Sequence, residues 1–227
     1  MNIAVILSAG SGTRFKSEVP KQFLNINGHP VLSLSLDKFE KSKFIDSIIV
    51  VAHSEHIKKI EEITSKYKKV IAIVEGGARR QDSVFNALKW INKNAECSKV
   101  WIHDSARPLF SPGLMERLNI KSAAEVAVIP VVASNDTLKK VDDGVVVATL
   151  DRSSIYRVQT PQVFSFKALY EAYSKFSDTI DATDDAFLME RLGVKIFTVE
   201  GEVDNIKLTY PTDIKIAELL INASNKL

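Results

Sequence analysis

Short apolar runs recur along the chain, separated by stretches in which apolar residues return every three or four positions. The runs are rich in Val and Ile and lie at 3–7, 47–52, 70–74, 100–103 and 126–131. Stretches with the spacing of amphipathic helices lie between and after these runs, at 30–40, 55–67, 81–92 and 112–119. Buried strands that alternate with helices indicate a parallel sheet covered on both faces. The pattern therefore predicts an α/β fold with a doubly wound, mostly parallel, Rossmann-like sheet.

The alternation stops after Val131. Between 135 and 159, an Asp143-Gly144 pair separates two strand-like stretches, and no helix follows to bury them. An isolated two-stranded hairpin is only marginally stable in water. We therefore expect this protruding β-arm to pack against another surface, most simply a second copy of the chain. After the arm, the pattern predicts helices at 166–176 and 183–192, a strand at 194–199 and a helix after Pro211.

Length and composition describe one ordinary globular domain. The 227 residues are 45% hydrophobic and 26% charged, which is enough to bury one sizeable core. We expect a single domain over 1–227, with the β-arm as a subdomain at about 135–159. A formal net charge of +2 gives no sign of a nucleic-acid or membrane surface.

The cysteine content and the N-terminus bear on the compartment. The single cysteine, Cys97, excludes an internal disulfide and a cysteine-based metal cage. No apolar run reaches the roughly 20 residues of a membrane span, and the N-terminus lacks the features of a signal peptide. We therefore expect a cytoplasmic protein.

A glycine-containing loop, "SAGSGTRF" at 8–15, follows the first predicted strand. Such glycines let backbone N–H groups approach an anion. A dinucleotide site has a third glycine where this loop has Phe15, and basic residues follow in place of a helix. With Arg14 and Lys21 on it, the loop favours a highly charged phosphate chain. Taken alone, it also fits a tight turn that ends a strand.

Five other polar segments carry candidate chemistry, each with a plain structural alternative. Asp104 follows the fourth strand, where it would hold Mg²⁺ on phosphates or cap a turn. Ser83, near a helix start, would bind a ligand or cap the helix. Lys207 lies in a strand-like run, either on an exposed edge or directed at an anion. The segments at 159–164 and 181–190 read as a plain turn and an acidic helix start.

Taken together, these segments resemble the 2-C-methyl-D-erythritol 4-phosphate cytidylyltransferases of the non-mevalonate isoprenoid pathway. The resemblance extends over essentially the whole chain and keeps the family's motif order. The nine matching segments are "SAGSGTRF", "PKQFL", "GGARRQDSV", "HDSARP", "DTLK", "LDR", "QTPQVF", "ATDDA" and "NIKLTYPTD". Small departures are Ser8 and Ser105 where the family usually has Ala, and Asp185 where it has Glu.

The resemblance implies transfer of CMP from CTP to methylerythritol phosphate, with release of pyrophosphate and a requirement for Mg²⁺. The implied catalytic cations, which bind the triphosphate and steady the developing charge, are Arg14, Lys21 and Lys207. The implied nucleotide-binding residues are Ser8, Ala9, Gly10, Gly12, Gly77, Asp82 and Ser83.

The resemblance also implies a site for the second substrate. The implied substrate-binding residues are Asp104, Arg107, Thr137, Arg152 and Thr160, and Asp104 is also the metal candidate. Thr137 and Arg152 lie on the predicted arm, which in the family reaches into the partner subunit. A homodimer through the β-arm is therefore expected.

Three other functions compete with this hypothesis. A cytidylyltransferase for another polyol phosphate, such as ribitol 5-phosphate, would share the CTP loop. A non-catalytic nucleotide-binding regulator would keep the fold, although the retained Arg14, Lys21, Asp104 and Lys207 argue against it. An NAD-dependent oxidoreductase is disfavoured by Phe15 and by the lack of an acidic residue after the second strand, which ends at Ala52-His53.

Overall fold

An eight-stranded sheet forms the centre of the protein. A computed structural model describes residues 1–10, 15 and 19–224. Its strands are β1 (Asn2–Ser8), β2 (Asn25–Ile26), β3 (His29–Pro30), β4 (Ser47–Ala52), β5 (Val70–Glu75), β6 (Lys99–Asp104), β7 (Ala127–Ala133), β8 (Lys139–Asp142), β9 (Val145–Thr149), β10 (Tyr156–Val158), β11 (Gln162–Ser165) and β12 (Phe197–Glu200). Its α-helices are α1 (Val31–Lys41), α2 (Ile57–Thr64), α3 (Arg80–Asn94), α4 (Pro112–Ser122), α5 (Phe166–Phe176), α6 (Asp185–Arg191) and α7 (Thr212–Ser224).

The strand order brings four carboxyl ends to one edge of the sheet. The order is β10-β7-β11-β6-β1-β4-β5, with β12 also paired to β7. Strands β6, β1, β4 and β5 are parallel neighbours, so their last residues lie side by side. The register places Ser8 opposite Ala52 and Leu7 opposite Asp104. This confirms the predicted α/β class, and it creates the edge at which open α/β sheets bind ligands.

Strand β11 corrects the interpretation of 159–164 as a plain turn. It lies between β6 and β7 and runs antiparallel to both. Gln162, Val163 and Phe164 are buried there. The prediction was wrong because four residues after a proline show no periodicity, and pairing with strands distant in the sequence decides their conformation.

The period of two along the strands builds two core layers. On β1, Ile3 and Val5 face one side and pack with residues of α3, α5 and α6. Ala4 and Ile6 face the other side and pack with residues of α1, α2 and α4. Because successive side chains of a strand point to opposite faces, a continuous apolar run fills both layers. The sheet edge that carries the site is therefore held from both sides.

The hairpin of the predicted β-arm forms over 139–149, whereas β10, at the end of the predicted range, belongs to the central sheet. Strands β8 and β9 pair antiparallel, and the turn residues Asp143 and Gly144 have φ of 43° and 77°, as a tight two-residue hairpin requires. All nine residues of the two strands are exposed. Among the residues that the structure describes, no other part of the chain covers these two strands.

The later elements follow the sequence pattern with one shift and one error. Helix α5 covers the predicted 166–176, whereas β12 begins three residues after the predicted start of its strand. Lys207 lies in an irregular segment, so the strand-like interpretation of this run was wrong. Among the described helices, none is both long and apolar enough to cross a membrane.

Candidate active site

A cavity of about 440 Å³, cavity A, opens at the carboxyl ends of β1, β4 and β6. Its lining combines small residues with charged residues. The lining residues are Leu7, Ser8, Ala9, Gly10, Lys21, Gln22, His53, Gly77, Ala78, Arg79, Arg80, Ser83, Asp104, Ser105, Ala106 and Lys207. The structure thus brings together seven of the predicted nucleotide and catalytic residues together with Asp104.

The turn between β5 and α3 forms the small-residue wall of cavity A. The Gly77 N–H donates to Ser83 Oγ at 3.0 Å. A Cβ on Gly76 would lie 2.5 Å from the Cβ of Ala9, so this turn packs directly on the β1 loop. Only glycine permits that approach of two backbone segments. Ser83 therefore braces the turn, and it also lines the cavity.

Asp82 is not among the residues that line cavity A. Its carboxylate accepts from the Arg79 backbone N–H at 3.0 Å and from Arg79 Nη2 at 2.6 Å, which closes a capping box at the start of α3. A Cβ on Gly77 would collide with the Asp82 side chain. Asp82 therefore stabilises the conformation of the Gly77 turn.

Of the predicted catalytic cations, two lie in the described part of the chain. Lys21 lines cavity A, and its Nζ donates to the carbonyl of Leu208 at 3.3 Å. Lys207 lines the cavity from the same segment as Leu208. The predicted Arg14 and Gly12 lie outside the described residues. The described wall thus places two lysines on one cavity, as binding of a triphosphate requires.

Asp104 lies between two cations at the end of β6. Its Oδ1 accepts from Arg80 Nε at 3.0 Å, and its Oδ2 accepts from Lys207 Nζ at 2.6 Å. Its backbone N–H donates to Thr160 Oγ1 at 3.1 Å. Burial opposes ionisation of this carboxyl, but the charges of Arg80 and Lys207 outweigh burial and hold its pKa well below the usual value. Asp104 is therefore an anion that orients two cations.

Arg80 reaches further inward, to a carboxylate that solvent does not reach. Arg80 Nη2 donates to Asp185 Oδ2 at 2.8 Å, and the Asp185 side chain has no exposed surface. The Tyr173 hydroxyl donates to Asp185 Oδ1 at 2.5 Å. Burial alone would lower the pKa of Arg80, yet Asp185 and Asp104 raise it well above the ordinary value. The guanidinium is thus a fixed charge in the cavity wall.

His103, next to Asp104, is a buried structural residue. Its ring nitrogens lie 3.3 Å from Ser35 Oγ and 3.1 Å from Thr160 Oγ1. Burial lowers its pKa to about 3, so the imidazole is neutral at physiological pH. It packs edge-on against Phe39 and Phe110. The neutral ring contributes to orienting Thr160, which in turn holds the backbone of Asp104.

A second cavity of about 420 Å³, cavity B, shares a wall with cavity A. Arg80, Asp104 and Lys207 line both cavities. The other residues of cavity B are Arg107, Ile129, Val158, Gln159, Thr160, Gln162, Thr183, Asp184, Ala186, Phe187 and Glu190. The predicted substrate residues Asp104, Arg107 and Thr160 thus meet in one polar cavity beside the first.

Arg107 is fixed in the wall of cavity B by backbone carbonyls. It donates to the carbonyls of Asn205 at 2.9 Å and Val158 at 3.1 Å. Burial, together with the nearby Arg157 and Arg80, lowers its pKa below the ordinary value of an arginine. Because neither carbonyl carries a full negative charge, this cation is well suited to an anionic ligand.

The arm residues lie apart from both cavities. Thr137 and Arg152 are exposed and line neither cavity A nor cavity B. Arg152 donates to the Asn135 carbonyl at 2.9 Å and lines a shallow hollow at the base of the arm with Ser134, Asp151 and Ser153. Within one chain, the structure does not bring these two residues to the sheet-edge site.

The acidic groups give a metal ion little to bind. In the ranges that the structure describes, no cluster of three or more His, Cys, Asp or Glu side chains is arranged to hold one. Both oxygens of Asp104 already face cations. A divalent ion bound through substrate phosphates and a single carboxylate still agrees with Mg²⁺ chemistry.

Sequence reasoning missed Arg80, Asp185 and Tyr173 as site residues. The segment "GGARRQDSV" contains two adjacent arginines, and which of them points inward depends on the start of α3. In the sequence, Asp185 falls in an acidic helix start and in a segment of the family resemblance, but neither assigns a partner to this residue. A buried acidic residue needs a cation, and the adjacent arginines were the available signal for that pairing.

Comparison with known proteins gives one consistent family. The family model of IspD, 2-C-methyl-D-erythritol 4-phosphate cytidylyltransferase, matches residues 2–223. A protein of that name from Bacillus mycoides is 41% identical over 232 residues, covering all of both chains. One from Caldicellulosiruptor bescii is 39% identical over 218 residues, covering 96% of each.

Solved structures that superpose on this chain belong to the same family as these sequence relatives. The crystal structure of 4-diphosphocytidyl-2C-methyl-D-erythritol synthase from Anaerococcus prevotii superposes with a TM-score of 0.85 and 33% identity. The match covers 97% of this chain and 96% of that one. The Francisella tularensis 2-C-methyl-D-erythritol 4-phosphate cytidylyltransferase superposes with a TM-score of 0.82 and 30% identity, covering 96% and 98% of the two chains.

Proposed function

Because this chain belongs to the 2-C-methyl-D-erythritol 4-phosphate cytidylyltransferase family, we propose that it transfers CMP from CTP to 2-C-methyl-D-erythritol 4-phosphate. The products are 4-diphosphocytidyl-2-C-methyl-D-erythritol and pyrophosphate. The observation that carries this proposal is the wall shared by two cavities, formed by Arg80, Asp104 and Lys207. A phosphate held in one cavity would face a phosphate chain held in the other across these charges.

The transfer itself is a displacement at phosphorus. A phosphate oxygen of the acceptor attacks the α-phosphorus of CTP and forms the new P–O bond. The bond from the α-phosphorus to the bridging oxygen breaks, and its electron pair leaves with pyrophosphate. No covalent intermediate with the enzyme is involved, so positioning and electrostatics supply the catalysis.

Charge repulsion is the main obstacle that the site must offset. Two like unit charges 4 Å apart repel by about 4 kcal/mol at an effective dielectric near 20. Lys21 and Lys207 line cavity A, and Arg107 lines cavity B. We assign Lys21, Lys207 and Arg14 to the triphosphate and the developing charge. Arg107 and Thr160 are assigned to the acceptor phosphate.

The nucleotide would lie along the small-residue wall of cavity A. Ser8 ends β1 there, Ala9 and Gly10 follow it, and Gly77 and Ser83 belong to the turn that packs beside them. Gly12 belongs to the same loop. A pocket that hydrogen-bonds the cytosine edge rejects uracil, because the wrong base leaves buried polar groups unpaired. Asp82 would act on the nucleotide through the Gly77 turn that it braces.

A divalent cation, most simply Mg²⁺, is expected to accompany the triphosphate. Phosphate oxygens would supply most of its ligands, since Mg²⁺ is commonly bound by one or two carboxylates plus substrate phosphates. Among the described residues of cavity A, Asp104 is the acidic side chain, and it would join them while keeping its pairs with Arg80 and Lys207, because each carboxylate oxygen has a second lone pair. When bound, the cation neutralises charge on the triphosphate.

The β-arm would complete the site in a homodimer. Its strands are exposed throughout and carry Val141, Val145, Val146 and Val147 on the surface. Such exposed apolar residues on a hairpin favour burial against a protein partner. Thr137 and Arg152 would then bind the acceptor in the partner's cavity B.

For the compartment, we propose the cytoplasm, in keeping with a single, half-buried cysteine.

The acceptor is tested by comparing two polyol phosphates. Pyrophosphate release is measured with CTP and either 2-C-methyl-D-erythritol 4-phosphate or ribitol 5-phosphate. We expect turnover with the first acceptor and little with the second. Turnover with ribitol 5-phosphate alone would replace the proposed acceptor, and CTP binding without turnover on either would favour a regulatory protein.

A further inference from the structure

An unbroken series of polar contacts runs from helix α5 to the shared wall of the two cavities. Tyr173 donates to Asp185 at 2.5 Å, and Asp185 accepts from Arg80 at 2.8 Å. Arg80 donates to Asp104 at 3.0 Å, and Asp104 accepts from Lys207 at 2.6 Å. We name these five residues the inner relay. Its outer three members line both cavities, and Tyr173 and Asp185 line neither.

The inner end of the relay is buried, and burial destabilises an ionised carboxylate. The side chain of Asp185 has no exposed surface, and Tyr173 is also fully buried. An ionised carboxylate in such a place is stable only when it is paired and hydrogen-bonded. Each oxygen of Asp185 has one partner, a hydroxyl and a guanidinium. The fold thus maintains a buried ion pair directly behind the site, although its desolvation costs free energy.

The geometry of arginine links this pair to the cavity. A guanidinium is a planar fork, so fixing one of its nitrogens fixes the direction of the others. With Nη2 held by Asp185, Nε points at a single oxygen of Asp104 and leaves the other oxygen to Lys207. Without Asp185, both nitrogens of Arg80 would turn to Asp104 and compete with Lys207 for it.

We propose that Asp185 and Tyr173 are positioning residues for cytidylyl transfer, which hold Arg80 so that Asp104 divides its two oxygens between Arg80 and Lys207. The inference rests on the proposed function, because the reaction needs Lys207 at a fixed place between the two substrates. Misplacing a catalytic group by about 1 Å costs up to about 100-fold in rate.

The chain offers a matched control for the Tyr173 hydrogen bond. Tyr67 is also buried, and its hydroxyl donates to Asp37 at 2.8 Å. It packs in the core layer on the opposite face of the sheet and lines neither cavity. Tyr67→Phe therefore removes the same kind of hydrogen bond without touching the inner relay.

Kinetics of four variants form the first arm of the test, with rates expressed per folded molecule from circular dichroism. Asp185→Asn should lower kcat about 10–100-fold, with the KM for CTP within about threefold. Asp185→Glu, which keeps the charge, should recover most of that loss. Tyr173→Phe should lower kcat about 3–10-fold, and Tyr67→Phe should leave it within about twofold. An unchanged kcat in Asp185→Asn overturns the proposal.

A second arm does not depend on the substrate. The Arg80 Nε–H signal, identified in ¹⁵N NMR spectra by its loss in Arg80→Lys, should exchange slowly with water in the parent protein. It should exchange faster in Asp185→Asn and Tyr173→Phe and stay slow in Tyr67→Phe. Equal exchange in all four proteins overturns the proposal. If the parent protein fails to use the proposed acceptor, the proposed function is wrong, whereas the NMR measurement still tests the positioning role.

Discussion

The sheet-edge site and the β-arm differ in how their polar side chains are paired and in how far their strands are buried. At the sheet edge, Asp104, Arg80 and Lys207 satisfy one another within the chain. On the arm, Thr137 and Arg152 are exposed, and the strands beside them have no core of their own. The contrast supports the proposal that one chain prepares the charges for phosphate chemistry and that the arm acts on a second copy of the chain.

The largest expected effect is at the sheet edge. Lys21→Met removes a cation from cavity A and should lower the rate of pyrophosphate release on the order of 10²–10³-fold. The far-UV circular dichroism should be unchanged, because Lys21 is only partly buried. A rate within threefold of the parent protein would show that this lysine does not act on the triphosphate.

An arm variant should act on one substrate only. Arg152→Ala should lower kcat/KM for the polyol phosphate about 10–100-fold and leave the KM for CTP unchanged, because the proposed homodimer brings Arg152 to the acceptor in the partner's cavity B. Lys139→Ala, which removes another exposed cation of the arm, is the matched control and should change neither constant. Equal losses in both variants would mean that the arm contributes only general charge.

The neutral His103 makes the sheet-edge region sensitive to acid. Its pKa is about 3 in the folded protein and 6.5 as a free side chain. Between these values the unfolded chain binds the proton and the folded one does not. The free energy of unfolding should thus fall by up to about 1.4 kcal/mol for each pH unit below 6.5. Urea denaturation should show a shallower pH dependence in His103→Asn; an unchanged slope would contradict the neutral buried ring.

The smallest effect is expected from the apolar surface of the arm. Val146→Thr nearly keeps the shape of the side chain but replaces one methyl group with a hydroxyl, so it should weaken dimerisation about tenfold. Sedimentation at several concentrations measures the shift. Ile120→Thr alters another exposed apolar residue, on α4, and serves as the control. If both variants dissociate alike, the arm is not the contact surface.

Prediction from sequence succeeded where the pattern is local. The apolar runs located β1, β4, β5, β6 and β7, because buried strands must be apolar over their length. The Asp143-Gly144 pair located the hairpin turn, because both residues adopt positive φ there. The Asn27-Gly28 turn between β2 and β3 carries the same signal and was overlooked.

Prediction failed where contacts between distant residues decide the outcome. Strand β11 forms because β6 and β7 flank it, and no local pattern contains that fact. The pairing of Arg80 with Asp185 spans 105 positions in the sequence, so neither residue signals the other. Their positions in the sequence, and then the family resemblance, made Asp104 and Lys207 candidates, but only the structure shows that they form an ion pair.

Mixing two inactive variants tests most directly whether the arm of one chain completes the sheet-edge site of another. In a Lys21→Met and Arg152→Ala hybrid, one of the two sites has an intact lysine and receives an intact arm. Random reassortment of equal amounts should therefore restore about a quarter of the parent activity. Confirmed hybrids that remain inactive would contradict the shared site and show that each site is built from one chain.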